Sequence, residues 1–429
     1  MTTSEFILQH RLSNPRDLAL QARRYPDVDM PYALNQIQGW QTARQKLPSW
    51  ASCDGVVYPP HLNMEQCSSE PTARYKQEVA LRWLNKLGVG HGGATTSMAD
   101  LTGGFGVDFS FTSRCFASAT YVERNSSLCD VVSGNLPRLG ISNANVVCAE
   151  AEDYLATMPQ QTMLFLDPAR RDEHGAKTVL IADCTPDVCR LLPQLMSKAR
   201  FVMLKLSPML DWHKAIADLK GTVNEVHIVS VGGECKELLL VLAGKVSVSS
   251  VDSGSLENGV RVYCVDIMPK AEADGEYKRS EFCYTIGGAA DNLPTPNPQP
   301  STLNSQLSTL NSQFLFEPNA SIMKAGCFAE LSQVYGVEAI GPNSHLFVSS
   351  GRIEQFPGRK FAIEAVCTLN KRQLKQTLGT LKQANIAVRN FPMSVAELRK
   401  RLKLRDGGDT YIFATTTMEG EHVLIICRK

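Results

Sequence analysis

Short apolar runs alternate with amphipathic stretches between residues 95 and 245. This alternation predicts a parallel β-sheet with helices packed against it. Only about five residues separate the last two apolar runs, too few for a crossover helix, so we expect that pair to be antiparallel. The seven segments predicted as strands are Ser97–Leu101, Ala119–Glu123, Asn145–Ala149, Met163–Asp167, Phe201–Leu206, Glu225–Val231 and Glu237–Ala243.

The pattern differs on both sides of this region. Residues 1–90 have apolar positions at helical spacing, and Ser69-Glu70-Pro71 has the residues of a helix start. Residues 351–429 predict a small α+β domain with helices at Lys371–Gln383 and Val395–Leu404. We therefore expect a helical region at 1–90, a sheet domain at 91–245, a small module at 246–350 and an α+β domain at 351–429.

The module at 246–350 contains a low-complexity segment at about 294–314. It has alternate prolines, and residues 301–307 recur almost unchanged as residues 308–314. The repeat lacks charges and a two-position apolar seam, so it does not fit a coiled coil. We expect a disordered insertion there, then a helix at Ala320–Val334.

The glycine-rich segment Asp100–Asp108 follows the first predicted strand and precedes an apolar helical pattern. Glycines allow the backbone to turn sharply and let a ligand lie against it, and the following helix start offers free N–H groups. A dinucleotide fingerprint would need a third glycine where Phe109 stands. An acidic strand end followed by x-G-x-G instead resembles the first motif of class I S-adenosylmethionine-dependent methyltransferases. A purely structural glycine turn is the alternative.

Acidic residues also end the next two predicted strands. Glu123 lies where a carboxylate can accept the ribose hydroxyls of a nucleotide cofactor. Glu150-Ala151 resembles the acidic-Ala pair that faces the adenine ring in class I methyltransferases. Each carboxylate alone could be a solvated strand end, but three in register with a glycine turn favour a cofactor site. We expect S-adenosylmethionine to contact Asp100, Thr102, Gly103, Gly104, Phe105, Gly106, Asp108, Glu123, Arg124, Glu150, Ala151 and Asp167.

The fourth strand ends in Asp167-Pro168-Ala169-Arg170-Arg171. This segment resembles the Asp/Asn-Pro-Pro-aromatic motif of amino-group methyltransferases, in which the polar side chain and the proline carbonyl orient an amine. Ala169 and Arg170 replace the second proline and the aromatic, so a flipped base would need another stacking surface. We expect catalytic roles for Asp167, Pro168 and Arg170, and substrate contacts for Arg171 and Lys205. Ion pairs of the arginines with Asp172 and Glu173 are the alternative.

Ser207 follows Lys205 and Leu206 at the end of the fifth strand. Uridine C5 methyltransferases need a cysteine nucleophile at about this place. Serine does not replace it readily without an activating base. The sequence therefore argues against methylation of a pyrimidine carbon.

Net charge is +1, but the distribution is uneven. Residues 351–429 contain 15 Lys and Arg against 7 Asp and Glu, a balance of +8, which leaves −7 for the rest. Such asymmetry suggests an anionic partner for the basic part, although a solvated basic helix face would give the same composition. We expect RNA contacts at Lys400, Arg401, Lys403 and Arg405.

These motifs together, with the run from Gln66 to Lys76 and the basic C-terminal domain, resemble a family of bacterial RNA methyltransferases. Their defining appendage is a THUMP-like domain, which a ferredoxin-like module can precede. The resemblance implies an α/β fold with a seven-stranded, Rossmann-like class I methyltransferase sheet and ferredoxin-like and THUMP-like C-terminal domains. It also implies S-adenosylmethionine as cofactor and tRNA or rRNA as substrate. A base nitrogen is the acceptor that we expect.

Two other functions remain open on the sequence alone. One is a non-catalytic RNA-binding protein on a methyltransferase scaffold, and the other is a small-molecule methyltransferase. We expect a cytoplasmic protein, because the chain has no signal-peptide pattern and its longest apolar run, Leu238–Ala243, is too short for a bilayer. No pair of the 13 cysteines has C-x-x-C spacing, so we expect reduced thiols and no metal site.

Overall fold

The computed structural model describes residues 1–90, 95–170, 180–244, 259–268, 277–287 and 313–429. These residues form two compact units, one with most of residues 1–261 and the other with most of residues 262–429. No helix in these ranges is both long and apolar enough to span a bilayer. All 13 cysteines are free thiols.

The helices of the described residues are α1 Thr3–His10, α2 Pro15–Leu20, α3 Met30–Lys46, α4 Pro48–Ala51, α5 His61–Gln66, α6 Glu70–Lys86, α7 Val107–Thr112, α8 Ser126–Arg138, α9 Ala151–Thr157, α10 Val188–Lys198, α11 Trp212–Asp218, α12 Ala320–Ala325, α13 Phe328–Tyr335, α14 Lys371–Leu378 and α15 Val395–Leu402. The strands are β1 Ser97–Asp100, β2 Ser118–Glu123, β3 Ala144–Cys148, β4 Gln161–Leu166, β5 Ala169–Arg170, β6 Cys184–Thr185, β7 Ala199–Leu206, β8 Val223–Val231, β9 Glu234–Ala243, β10 Val260–Met268, β11 Lys278–Ile286, β12 Phe314–Pro318, β13 Glu338–Ala339, β14 Phe347–Ser349, β15 Gly358–Thr368, β16 Asn385–Arg389, β17 Thr410–Thr416 and β18 His422–Arg428.

All seven predicted strands are present in one sheet, in the order β8-β9-β7-β4-β1-β2-β3. β1, β2, β3, β4 and β7 pair in parallel, and β9 runs antiparallel to β7. The predicted strand count was too low. β10 and β11 extend the sheet beyond β8 to nine strands.

The central strands of this sheet are buried on both faces. Five consecutive residues of β4 and the last seven of β9 are buried, as parallel sheets covered by helices require. Helix α6 covers one face and stacks Trp83 on Phe201 of β7 at 5.5 Å between ring centroids. Its first turn carries Pro71 and follows Ser69, the helix start predicted from the sequence.

A second sheet, in the order β13-β14-β12-β15-β18-β17-β16, forms the C-terminal region. Side chains alternate along β18, so that Ile425 and Cys427 pack in the core on one face and Leu424 and Ile426 in the core on the other. Leu378 of α14 and Leu398 of α15 pack in the second of these cores. Both helices therefore cover the same face of this sheet.

Two predictions for the C-terminal half need correction or lie outside the described residues. The single helix predicted at Ala320–Val334 is two helices, α12 and α13, because Gly326 adopts the left-handed conformation (φ +72°). The insertion predicted at 294–314 lies outside the described residues except at its end, where Phe314 begins β12.

Candidate active site

The glycine turn between β1 and α7 is shaped by two residues with positive φ, Gly104 at +53° and Gly106 at +79°. Gly103 donates its N–H to the Val122 carbonyl at 2.9 Å, and a Cβ at Gly103 would overlap the buried ring of Tyr121. A Cβ at Gly104 would meet nothing closer than the Thr102 carbonyl oxygen, at 3.9 Å. The turn is therefore packed on one side at Gly103 and open on the other at Gly104.

Glu123 connects the end of β2 to this turn. Its Oε2 accepts a hydrogen bond from the Gly104 N–H at 2.9 Å, and its Oε1 accepts one from the Asn125 N–H at 2.9 Å. The side chain is half-buried. Each carboxylate oxygen keeps a further lone pair for a ligand.

Asp100 ends β1 as a carboxylate that is 1% exposed. Burial raises its pKa well above the usual value, and the nearby carboxylates of Asp108, Asp167 and Glu123 act in the same direction. A hydrogen bond from the Thr102 N–H at 3.0 Å opposes this shift. The position therefore disfavours a negative charge unless a cation is added beside it.

A cavity of about 310 Å³ lies at the carboxyl ends of β1, β2, β3 and β4. All twelve residues expected to contact the cofactor line it, and so does Lys205. Pro168 is buried and does not line it, while Arg171 and the side chain of Arg170 lie outside the described part of the chain. The carboxyl ends of these strands therefore meet at one cavity, as we expected from the acidic residue at the end of each strand.

Residues from two other segments complete the wall. The end of α5 and the loop after it contribute Asn63, Gln66, Cys67 and Ser68. The antiparallel pair of β5 and β6 brings Thr185 and Pro186 to the cavity by pairing Ala169 with Thr185. The run from Gln66 to Lys76 gave a signal for the first segment, but no sequence feature indicated the second.

Asp167 lies at the mouth of a cluster of charged side chains. Its backbone N–H donates to Thr102 Oγ1 at 2.6 Å, and its Oδ2 accepts from Lys205 Nζ at 2.6 Å. Lys205 Nζ also lies 3.5 Å from Asp108 Oδ2. The Lys205 side chain is only 12% exposed, and it lines the cavity.

Lys76 of α6 continues this cluster behind the cavity. Its Nζ lies 2.6 and 2.7 Å from the two carboxylate oxygens of Glu237 and 3.1 Å from Asp108 Oδ1. Ser68 donates its hydroxyl to Asp108 Oδ2 at 2.7 Å. Lys76 is fully buried, and Glu237 is 2% exposed. Sequence reasoning named Lys76 only as the end of the run from Gln66 and missed its pairing with Glu237, because the two residues are 161 positions apart in the chain.

The two lysines determine the protonation of this cluster. Burial alone would raise the pKa of Asp108, but Lys76 and Lys205 outweigh it and hold that pKa below its ordinary value. Burial would lower the pKa of Lys205, but the carboxylates of Asp167, Asp108 and Glu237 raise it above its ordinary value. Lys205 is therefore an ammonium at neutral pH.

The C-terminal region presents exposed cations on the helices that cover its sheet. Lys400 and Arg401 lie at the end of α15, and Lys403 caps this helix in a left-handed conformation. Helix α14, on the same face, adds Lys371, Arg372 and Lys375, which sequence reasoning did not single out. Among the described residues, none of these six side chains forms an ion pair with a carboxylate. Arg405 is also exposed.

Comparison with known proteins agrees with the fold and the domain order. Residues 358–429 match the THUMP domain-like family, and residues 314–357 match a ferredoxin-like domain. A crystal structure of a proposed methyltransferase from Porphyromonas gingivalis W83 is 27% identical and superposes with a TM-score of 0.78. That match covers 100% of this chain and 97% of the other. No curated protein matches the chain.

Other solved structures match only part of the chain. An rRNA methylase from Streptococcus thermophilus is 11% identical over 40% of this chain and 94% of its own, with a TM-score of 0.29. A proposed methyltransferase from Streptococcus mutans, solved in complex with SAH, is also 11% identical with a TM-score of 0.29, over 38% of this chain and 95% of its own. The full-length match and the two domain matches together confirm a methyltransferase fold that is followed by ferredoxin-like and THUMP-like domains.

Proposed function

We propose that this chain transfers a methyl group from S-adenosylmethionine to RNA. The observation that supports it most directly is the cavity at the carboxyl ends of β1 to β4, where a glycine turn and three strand-end acids meet. Ligands of α/β sheets of this kind bind outside the carboxyl ends of the strands. When bound, the cofactor supplies an electrophilic methyl group on a positively charged sulfur.

The residues present fit this cofactor. The space beside Gly104 lets a ligand lie against the backbone, and the free lone pairs of Glu123 can accept the ribose hydroxyls. Asp100 is a buried carboxylate with a raised pKa, which the ammonium of the cofactor's amino acid portion would stabilise in its charged form. Glu150 and Ala151 begin α9 at the far wall, where we place the adenine.

The remaining task of the protein is to position the acceptor. Methyl transfer is an in-line displacement, so holding the two reacting atoms in line supplies much of the acceleration. Asp167 has a half-exposed side chain at the cavity and is the residue that we assign to this role. The prediction of a base nitrogen as acceptor rests on the resemblance of Asp167-Pro168 to the amino-group motif.

RNA is supported by the charge of the C-terminal domain. Cations that have no ion-pair partner among the described residues lie on two helices of one layer, where a phosphate backbone can replace their counterions. A small-molecule methyltransferase would have no evident use for such a surface. The match to the THUMP domain-like family over residues 358–429 is consistent with this role.

The proposal is tested first by cofactor binding. Gly104→Val places a side chain in the open space of the turn, and we expect calorimetry to show at least a hundredfold loss of S-adenosylmethionine affinity. Gly221→Val is the matched control. Gly221 also has a positive φ (+76°) and open space at its Cβ, but it does not line the cavity. Equal affinity of the two variants would contradict the cofactor assignment.

The second test is methyl transfer itself. Wild-type protein, tritiated S-adenosylmethionine and total RNA from a strain that lacks the gene should give labelled RNA. RNA from the parent strain should accept less label, because its sites are already methylated. Cofactor binding without label in either RNA would reject RNA as the substrate.

A further inference from the structure

The side chains around Asp167 do not suit a base nitrogen. A base held by the Asp-Pro motif stacks on the aromatic ring at the fourth position of that motif, and Arg170 stands at this position here. Among the described residues, the aromatic side chains that line the cavity are Phe105 and Phe165, which are 4% and 1% exposed and offer no free ring face. The Oδ2 oxygen of Asp167 accepts from Lys205, so an acceptor held by Asp167 also lies beside this ammonium.

Lys205 brings a positive charge to the acceptor side of the cavity. A neutral nitrogen becomes more positive as it gains a methyl group, and a neighbouring ammonium opposes this change. A hydroxyl acceptor loses its proton and becomes more negative, and the same ammonium then stabilises it. The charge beside Asp167 therefore favours an oxygen acceptor.

The chain holds this ammonium in place with several buried charges. Asp108 lies between Lys205 and Lys76, and Lys76 in turn is bound by both carboxylate oxygens of Glu237. Buried charges are costly and often less stabilising than an apolar core, so such a cluster at a cavity wall suggests a function. The cluster contains three carboxylates, those of Asp108, Asp167 and Glu237, and two ammonium groups.

We propose that the methyl acceptor is the 2′-hydroxyl of a ribose in RNA, with Lys205 and Asp167 at the reacting oxygen. This inference rests on the proposed function and names its substrate group. The acceptor oxygen forms a bond to the methyl carbon while the carbon–sulfur bond breaks and its electron pair stays on sulfur. The hydroxyl proton passes to Asp167 and from there to water, and Lys205 stabilises the negative charge that develops on oxygen.

The chemistry of the product tests this inference without any variant. A 2′-O-methyl group removes the nucleophile that cleaves RNA in alkali, so the label should appear in alkali-stable dinucleotides. A methylated base would place the label in mononucleotides after the same digestion, and this result would overturn the inference while leaving the proposed function intact. Absence of label from RNA altogether would instead reject the proposed function.

Substitutions test the role of each charge. Lys205→Met should lower kcat by about 10²–10³ and leave S-adenosylmethionine affinity within about threefold, since its ammonium acts on the reacting oxygen. Wild-type kcat in this variant would overturn the role of Lys205. Lys214→Met is the matched control, because Lys214 is exposed and pairs with Asp218 on α11. If Lys205→Met does not fold, Lys205→Arg is the variant to use, because it keeps the charge. The alkaline digest of the product of the wild-type enzyme then decides whether the acceptor is the 2′-hydroxyl.

Lys76 is a positioning residue, because it contacts the cluster but does not line the cavity. Lys76→Met removes a cation that lowers the pKa of Asp108, so a larger fraction of Asp108 should be protonated at a given pH. The electrostatic attraction between Asp108 and Lys205 should therefore weaken. In a plot of kcat against pH, the fall in kcat on the acidic side should then begin at a higher pH, and the KM for S-adenosylmethionine should be unchanged. An unchanged pH profile would show that Lys76 is only structural.

Discussion

Lys76→Met should destabilise the methyltransferase unit strongly, because it leaves two buried carboxylates with one cation fewer. Lys76 is fully buried and contacts Glu237 at 2.6 and 2.7 Å and Asp108 at 3.1 Å. Removing one partner of a buried ion pair typically costs about 3–5 kcal/mol. We expect a loss in that range, since the remaining cluster has three carboxylates and Lys205 alone.

Glu237→Gln is the informative comparison. It removes one carboxylate, and the cluster then contains two ammonium groups and two carboxylates. No buried charge in the cluster is then left without a partner of opposite charge. The loss should be closer to the value of charge-assisted hydrogen bonds, about 1.5–3 kcal/mol. In the double variant the two losses should not add, because both remove the same pair.

Urea unfolding followed by tryptophan fluorescence measures these losses. All four tryptophans, Trp40, Trp50, Trp83 and Trp212, lie in the unit that contains the cluster, so the signal does not report on the C-terminal unit. The reasoning would be refuted if Lys76→Met cost no more than Glu237→Gln, or if the two losses were additive in the double variant.

Substitutions in the cavity and on the C-terminal surface give three further expected outcomes. Asp100→Asn should raise stability at pH 7 and weaken S-adenosylmethionine binding. Because the pKa of Asp100 is raised in the native state, its carboxyl group contributes stability below the unfolded pKa of about 3.9, and this contribution is lost as the pH rises. In thermal unfolding, the difference in stability between Asp100→Asn and wild type should therefore decrease as the pH is lowered toward 4. Gly103→Ala should cost about 1–3 kcal/mol and abolish cofactor binding, because its Cβ overlaps the Tyr121 ring; calorimetry with wild-type affinity would contradict this. Reversal of the exposed cations on and after α15 to Glu should weaken RNA binding, with cofactor affinity unchanged. The log–log salt slope should also flatten, by about 0.7 to 0.9 for each phosphate that the domain no longer neutralises. The substitutions are Lys400→Glu, Arg401→Glu and Lys403→Glu.

The sequence alone determined the elements that depend on local pattern. Alternating apolar runs located all seven strands of the predicted sheet, and the glycine turn with its strand-end acids located the cavity. These features are readable because parallel strands are continuous apolar runs and their carboxyl ends must meet at one edge. The break at Gly326 was missed because a single glycine is compatible with a helix until its φ is known.

Only the tertiary structure decided which charges meet. Lys76 and Glu237 have no pattern that distinguishes them from solvated residues, and each lies on a different element of the fold. The packing of α6 on the sheet removes both from water, and burial then forces them to pair with each other. Lys76 also pairs with Asp108, which in turn lies beside Lys205. Sequence periodicity reports which face of an element is apolar, but the register between distant elements depends on how their side chains pack.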